Sequence, residues 1–449
     1  TAEGEVMTPR QFLKHYRYDE RLVRGGYFPS TPLTVDPGET VGVVLLNLGG
    51  PERVEDVEPF LYNLFMDPAI IDIPLKGVAR HWLCRLIARL RAKKVGKDYE
   101  MIGGGSPLNR LTREQAQALE RLLNRRFGQP AGVHFRTYIA MRYWHPFSEE
   151  AAAQMQAEGV DKVVLLPLYP QYSKTTTGSS LLYWWTLEQT GEIPRWPTTY
   201  VYEYAAHPKY IQAISERIDE ALQRFPKNVR SEVHLVFSAH GTPLVEMKER
   251  RDPYCCLIHS TVDRVMAYRK HDLPYHVSFQ SKVGPGEWLT PSTPDKLAEL
   301  AQQGVRAVLM VPVAFVTDHI ETSFELDIEV REEAEQFGIT HYEVMPALNC
   351  HPLFIEALAE VTVAQLRLPV PPETASVAGD GAPATTPYPI RPLDELPRYH
   401  PRVRKTRCHQ CEHITEARCW IPSECEPARE NAESTAPPKP SVQFKRPAS

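Results

Sequence analysis

Residues 41–48 read Val-Gly-Val-Val-Leu-Leu-Asn-Leu, and Gly49-Gly50-Pro51 ends the run. A continuous apolar stretch of this length, without polar alternation, suits a strand buried on both faces, as in a parallel sheet. Outward from it, residues 133–142 are again strand-like. Residues 148–159 have a helical pattern that stops at Gly159, and 160–168 form another buried strand. Alternating strands and helices predict an α/β domain with a parallel sheet.

The plan recurs later in the chain. Residues 233–238 (VHLVFS) run into Ala239-His240-Gly241-Thr242-Pro243, matching Leu46-Asn47-Leu48-Gly49-Gly50-Pro51 as a strand followed by Gly-x-Pro. Residues 304–312 (GVRAVLMVP) echo 159–167 (GVDKVVLLP), and the loops 174–181 and 319–326 align with Thr177 opposite Thr322. The expected architecture is two Rossmann-like α/β halves whose parallel sheets face a central cleft. Ligands of such folds bind outside the carboxyl ends of the strands, so both pairs of loops are expected to line that cleft. The expected divisions are an N-terminal extension or wrapping arm at 1–40, a first Rossmann-like domain at 41–228 and a second at 229–368. A Pro-rich linker at 369–401, a cysteine segment at 402–425 and a disordered tail at 426–449 follow.

The formal net charge of −5 gives no global attraction to nucleic acid. No run reaches the roughly 18 apolar residues of a membrane span, and the polar, mixed-charge start does not read as a signal peptide. A cytoplasmic, reducing location is the expectation, where clustered cysteines bind metal more often than they pair. In 75–94, Leu75, Val78, Ala79, Trp82, Leu83, Leu86, Ile87 and Leu90 form one apolar face, with Arg80, Arg85, Arg89 and Lys93 opposite. Such a helix either packs on the core with a solvated basic face or lies in a membrane interface.

Several strand ends carry chemistry. His240 sits between small neighbours that let a ligand approach. His319 and Glu321 occupy the corresponding later loop, and Glu321, Glu325 and Glu329 recur at helical spacing on one face. A carboxylate row is usually a solvated face. It can also be a line of hard oxygen ligands, and imidazole plus carboxylate suits Fe(II) and other first-row metals. Arg142-Tyr143-Trp144-His145-Pro146 and the loop from Phe279 to Trp288 read either as packing aromatics or as walls for a flat ring with carboxylate arms.

Six motifs in order make the chain resemble the ferrochelatases: LLNLGGPE (45–52), IGGGSPL (102–108), YPQYSKTTTGSS (169–180), SAHGTP (238–243), QSKVGPGEWL (280–289) and AFVTDHIETSFELDIE (314–329). The resemblance covers about residues 41–368. It implies insertion of Fe2+ into protoporphyrin with loss of two protons. His240 and Glu321 become the metal-site pair, with His319 beside them. Arg91, Tyr99 and Ser106 match positions at the porphyrin's carboxylate side or entrance, and Arg142, Tyr143, Trp288 and Phe315 match pocket walls. The 75–94 helix corresponds to a hydrophobic lip facing a membrane or a porphyrin-donating enzyme. A coproporphyrin-using enzyme, a cobalt or nickel chelatase, and a non-catalytic haem or iron–sulfur sensor are the alternatives. Monomer and homodimer both remain open.

Cys408, Cys411, Cys419 and Cys425 form a tail cluster. Four thiolates fit a [2Fe–2S] cluster or tetrahedral Zn2+. The resemblance favours [2Fe–2S]. Some relatives draw one ligand from mid-chain, where this chain has Lys174, so all four ligands are expected from the tail.

Overall fold

A computed structural model describes residues 6–29, 31–73, 75–282 and 286–369, with the backbone of 404–407 and 414–417 paired as an antiparallel ribbon. The quoted run forms strand β2 (Thr40–Asn47), after the short β1 (Leu33–Thr34). Its neighbours are β3 (His134–Met141), β4 (Lys162–Pro167) and β5 (Thr198–Tyr200), in the order β3-β2-β4-β5. The second sheet contains β6 (His234–His240), β7 (Tyr275–Gln280), β8 (Ala307–Pro312) and β9 (His341–Val344), in the order β7-β6-β8-β9. Both sheets are parallel throughout. The internal repeat is therefore a repeat of topology: first strand on first, third on third.

The unbroken apolar runs follow from burial on both faces. Val41, Val43 and Leu45 join Leu235, Phe237 and Ala239 in one core between the sheets, filled by helices Leu108–Leu123, Pro208–Leu222, Tyr254–Tyr268 and Pro352–Val363. Val44 and Leu46 turn outward beneath Ser148–Ala157 and Ser179–Thr190, as side chains alternate along a strand. Val236, Val308 and Met310 meet Thr293–Gln302 and Val330–Phe337 on the far side. Strand β10 (Leu366–Arg367) returns to pair with β1.

Both loops after the third strands open into π-helical turns, Lys174–Gly178 and Glu321–Glu329. The second corrects the expected α-helical spacing of the glutamates. π turns are rare and recur at functional sites.

The helix Gly77–Met101 corrects the basic-face reading. Arg80, expected in solvent, is 2% exposed and donates to the carbonyls of Phe65, Ile71 and Ile73. Cys84 and Ala88 lie under the helix with it, while Val78, Trp82, Leu86 and Leu90 are exposed. Three carbonyls, of Phe65 at the end of a helix and of Ile71 and Ile73 in the loop after it, hold the guanidinium by charge-assisted hydrogen bonds that draw this face of the helix inward.

Candidate functional site

Within each sheet the chain winds one way from first strand to second, then crosses to place the third on the other side. The carboxyl ends of first and third strands thus flank a switch point, where a crevice opens. In the second half these ends carry His240, on β6, and the loop 313–321 after β8. This brings together residues distant in sequence. His240 Nε2 lies 3.8 Å from Glu321 Oε1, and His319 Nε2 lies 3.9 Å from the same oxygen.

Both imidazoles are oriented from behind. Nδ1 of His240 faces the Gly241 carbonyl at 2.6 Å, and Nδ1 of His319 faces the Thr317 carbonyl at 3.2 Å. A carbonyl only accepts, so each Nδ1 carries the hydrogen. Nε2 is then the nitrogen that each ring turns toward Glu321. Burial, opposed in part by Glu321 and Asp318, lowers the pKa of His319 and favours its neutral form. Gln280 Nε2 donates to Glu321 Oε2 at 3.1 Å, while its Oε1 accepts from Ser238 at 2.7 Å. Ser281 donates to Glu325, whose pKa is raised to about 7 by burial and by the charge of Glu321. Among the described residues no three His, Cys, Asp or Glu side chains close into a ready-made metal cage. The trio is open, and His240 is 42% exposed.

The other expected residues divide. Tyr99 is buried at 2% exposure, in a cluster against which Ile320, the neighbour of Glu321, packs, and burial raises its pKa. The Phe315 ring lies 4.5 Å from that of His319. Trp288 bridges to Pro243 and crowds Gly241, where an added Cβ would come within 3.3 Å of the indole and 2.7 Å of the Gln280 carbonyl. Ser106 accompanies the Gly-rich loop that packs on residues 50–52; a Cβ at Gly105 would meet the Glu52 carbonyl at 2.2 Å. Arg91 is exposed, its guanidinium 5.7 Å from the Phe65 ring centre.

Arg142 and Tyr143 belong to a buried cluster that residue-type reasoning missed. Arg142 is ion-paired to Asp67 at 3.0 Å, and Tyr143 and Ser179 hydroxyls donate to the same carboxylate. Burial alone raises a carboxyl pKa; here the Arg142 charge and these hydrogen bonds outweigh it, and that of Asp67 is lowered. Its signal in the sequence was a lone acid within the apolar run Leu64–Ile71. The N-terminal segment covers this cluster: Phe12 and Tyr183 stack on the Arg142 guanidinium at 4.9 and 4.2 Å. A cavity of about 210 Å3 beneath that segment is lined by Met7, Phe12, Asp67 and Arg142, but by neither His240 nor Glu321. Cys408, Cys411, Cys419 and Cys425 lie outside the described residues.

A sequence model of the family Ferrochelatase matches residues 40–366. The chain belongs to the ferrochelatase family. It is 46% identical to a ferrochelatase of Synechococcus elongatus over 73% of this chain and 83% of that protein. With a ferrochelatase of Trichodesmium erythraeum it shares 44% identity over the same proportions. Among solved structures it is similar to SirB from Bacillus subtilis with Fe3+, at 10% identity and a TM-score of 0.41, over 75% of this chain and 98% of that one. As a ferrochelatase it is an enzyme of haem biosynthesis that inserts iron into a porphyrin. None of its described helices is long and apolar enough to cross a membrane.

Proposed function

We propose that His240, His319 and Glu321 carry the insertion of Fe(II) into protoporphyrin, with the ring bound between them and a first-half wall that includes Tyr99 and Ser106. The observation that carries this reading is the convergence of two imidazole Nε2 atoms on one carboxylate oxygen. Iron is substrate here, and an open trio suits cargo that must be released better than a closed cage would. Glu321 and neutral His319 receive Fe(II) as hard and borderline ligands. His240, on the exposed side, accepts a pyrrole proton as general base. Each turnover exchanges two pyrrole N–H protons for one Fe(II). Trp288 and Phe315 wall the ring. Arg142 and Tyr143, held by Asp67, stand behind the first-half wall, where Tyr143 shares a cluster with Tyr99, and Arg91 meets a propionate at the entrance.

Anaerobic Fe(II) and protoporphyrin test this, read as loss of porphyrin fluorescence. His240→Ala is expected to lower insertion by roughly 10²–10⁴ while Co(II), added alone, still gives a ligand-field spectrum. Glu321→Gln is expected to lose both. Insertion by His240→Ala at the wild-type rate ends the proposal. The exposed apolar lip, Val78 to Leu90, favours protoporphyrin over the more carboxylated coproporphyrin, and suits a cytoplasmic enzyme touching a membrane surface or a porphyrin-donating enzyme there. Parallel assays with coproporphyrin check the choice.

The donor set Cys408, Cys411, Cys419 and Cys425 fits a [2Fe–2S] cluster held by the tail alone, because the mid-chain position offers no thiolate: Lys174 is buried there beside Glu246. Such a cluster supplies structural or sensory redox chemistry, away from insertion. A red-brown optical spectrum supports it; colourless protein containing zinc selects the alternative.

A further inference from the structure

His240, His319 and Glu321 all come from the second half, whereas Tyr99 and Ser106 come from the first. The gap between metal trio and porphyrin wall therefore depends on how the halves are joined near His240. Residues 241–254 leave His240 and return to it: the Tyr254 hydroxyl donates to the His240 carbonyl at 3.1 Å. Facing this segment is the first-half loop Ser173–Gly178. Asp252 Oδ2 accepts from the Lys174 backbone N–H at 2.8 Å and from the Ser173 hydroxyl at 3.0 Å, while its Oδ1 accepts from the Tyr254 N–H at 3.0 Å. Lys174 Nζ lies 3.0 Å from Glu246 Oε1, with the two side chains 0% and 6% exposed. Glu246 also pairs with Arg250 at 2.8 Å, and Arg250 reaches across to Asp72 of the first half.

A wholly buried ammonium is a poor device for stability. Apolar replacements of a buried ion pair are often neutral or better, while its charge and direction define one geometry. Among the described residues Lys174 Nζ has no hydrogen bond of good geometry, so Glu246 is its electrostatic support. We propose that Lys174 is a positioning residue: paired with Glu246, it holds the His240 segment against the first half and fixes how far the metal trio stands from bound porphyrin. The inference rests on the trio's assignment above.

Lys174→Met keeps much of the side chain's length and bulk and removes the charge, leaving Glu246 its Arg250 partner. The expected result is a kcat for Fe(II) insertion lowered roughly ten- to hundredfold, with porphyrin KM within about twofold, as for groups misplaced by about 1 Å. The Co(II) spectrum of the porphyrin-free variant stays as in wild type, because all three trio groups come from one half. Folded Lys174→Met with wild-type kcat overturns the proposal. So does a Co(II) spectrum that changes along with kcat, which puts Lys174 in the metal site itself. Where Lys174→Met does not fold, Glu246→Gln carries the same expectations and the same refutation. Failure of the underlying assignment is separate: it appears as Glu321→Gln or His319→Ala enzyme with an unaltered Co(II) spectrum.

Discussion

The two halves share one winding, yet their matching strand ends have opposite fates. Strand β2 ends in Asn47, whose amide is consumed: Nδ2 donates to Thr112 at 3.2 Å and Oδ1 accepts the Leu48 N–H at 2.9 Å. Strand β6 ends in His240, with Nε2 open and the side chain 42% exposed. After β4 the π turn begins with a buried lysine; after β8 it begins with a carboxylate facing two imidazole Nε2 atoms. A duplicated scaffold provides two switch points. Chemistry develops where the fold leaves polar groups unspent, and cohesion where it uses them up.

The largest test of this contrast is activity. His240→Ala is expected to lower kcat by roughly 10²–10⁴, the range for removing a positioned acid or base. Asn47→Ala should instead cost about 1–3 kcal/mol of stability, from a buried partner left unmade. Steady-state insertion and urea unfolding separate the two; an Asn47 variant as inactive as the His240 variant would break the comparison. Next comes Asp67→Ala, which strips Arg142 of its buried partner. A loss of about 3–5 kcal/mol is expected, read by denaturation, and a loss below about 1 kcal/mol, as at exposed pairs, would show that water reaches the cluster.

A smaller effect concerns the amino ends of the second sheet, remote from the trio. His234 Nδ1 and His276 Nε2 lie 3.0 Å apart. Burial, with His234 and Lys296 adding to it and Glu299 opposing, lowers the pKa of His276 to about 4. The folded state thus disfavours the proton that the unfolded chain takes up below about 6.5. Stability from this group is full above that pH and falls as pH drops toward 4. His276→Gln should flatten the pH dependence of unfolding between those limits; an unchanged slope refutes it.

The smallest stability effect belongs to the lip. Trp82→Ser and Leu86→Ser should alter unfolding free energy by less than about 0.5 kcal/mol, as at exposed sites, yet reduce sedimentation with anionic vesicles. Unchanged vesicle binding would leave the apolar row without a membrane role.

Read from residues alone, the α/β class and the repeat were legible, and His240, His319 and Glu321 stood out as candidates at strand ends. Unbroken apolar runs ending at Gly-x-Pro have few uses other than strands of a covered parallel sheet, and His240, His319 and Glu321 fall at matching places in the repeat. Their rotation, their tautomers and their shared oxygen were not legible, because these depend on carbonyls and on Gln280 brought in by other strands. The lip misled the helical wheel: periodicity reports that a face is apolar, not which side the protein covers, and Arg80 reversed the answer through carbonyls 7–15 residues away. The partners of Asp67, Lys174 and Glu246 were illegible for the same reason. Sequence determines which groups are available and on what period they recur. Tertiary packing alone decides which are neutralised and which stay open, since pairing energy depends on distances that the chain acquires only on folding.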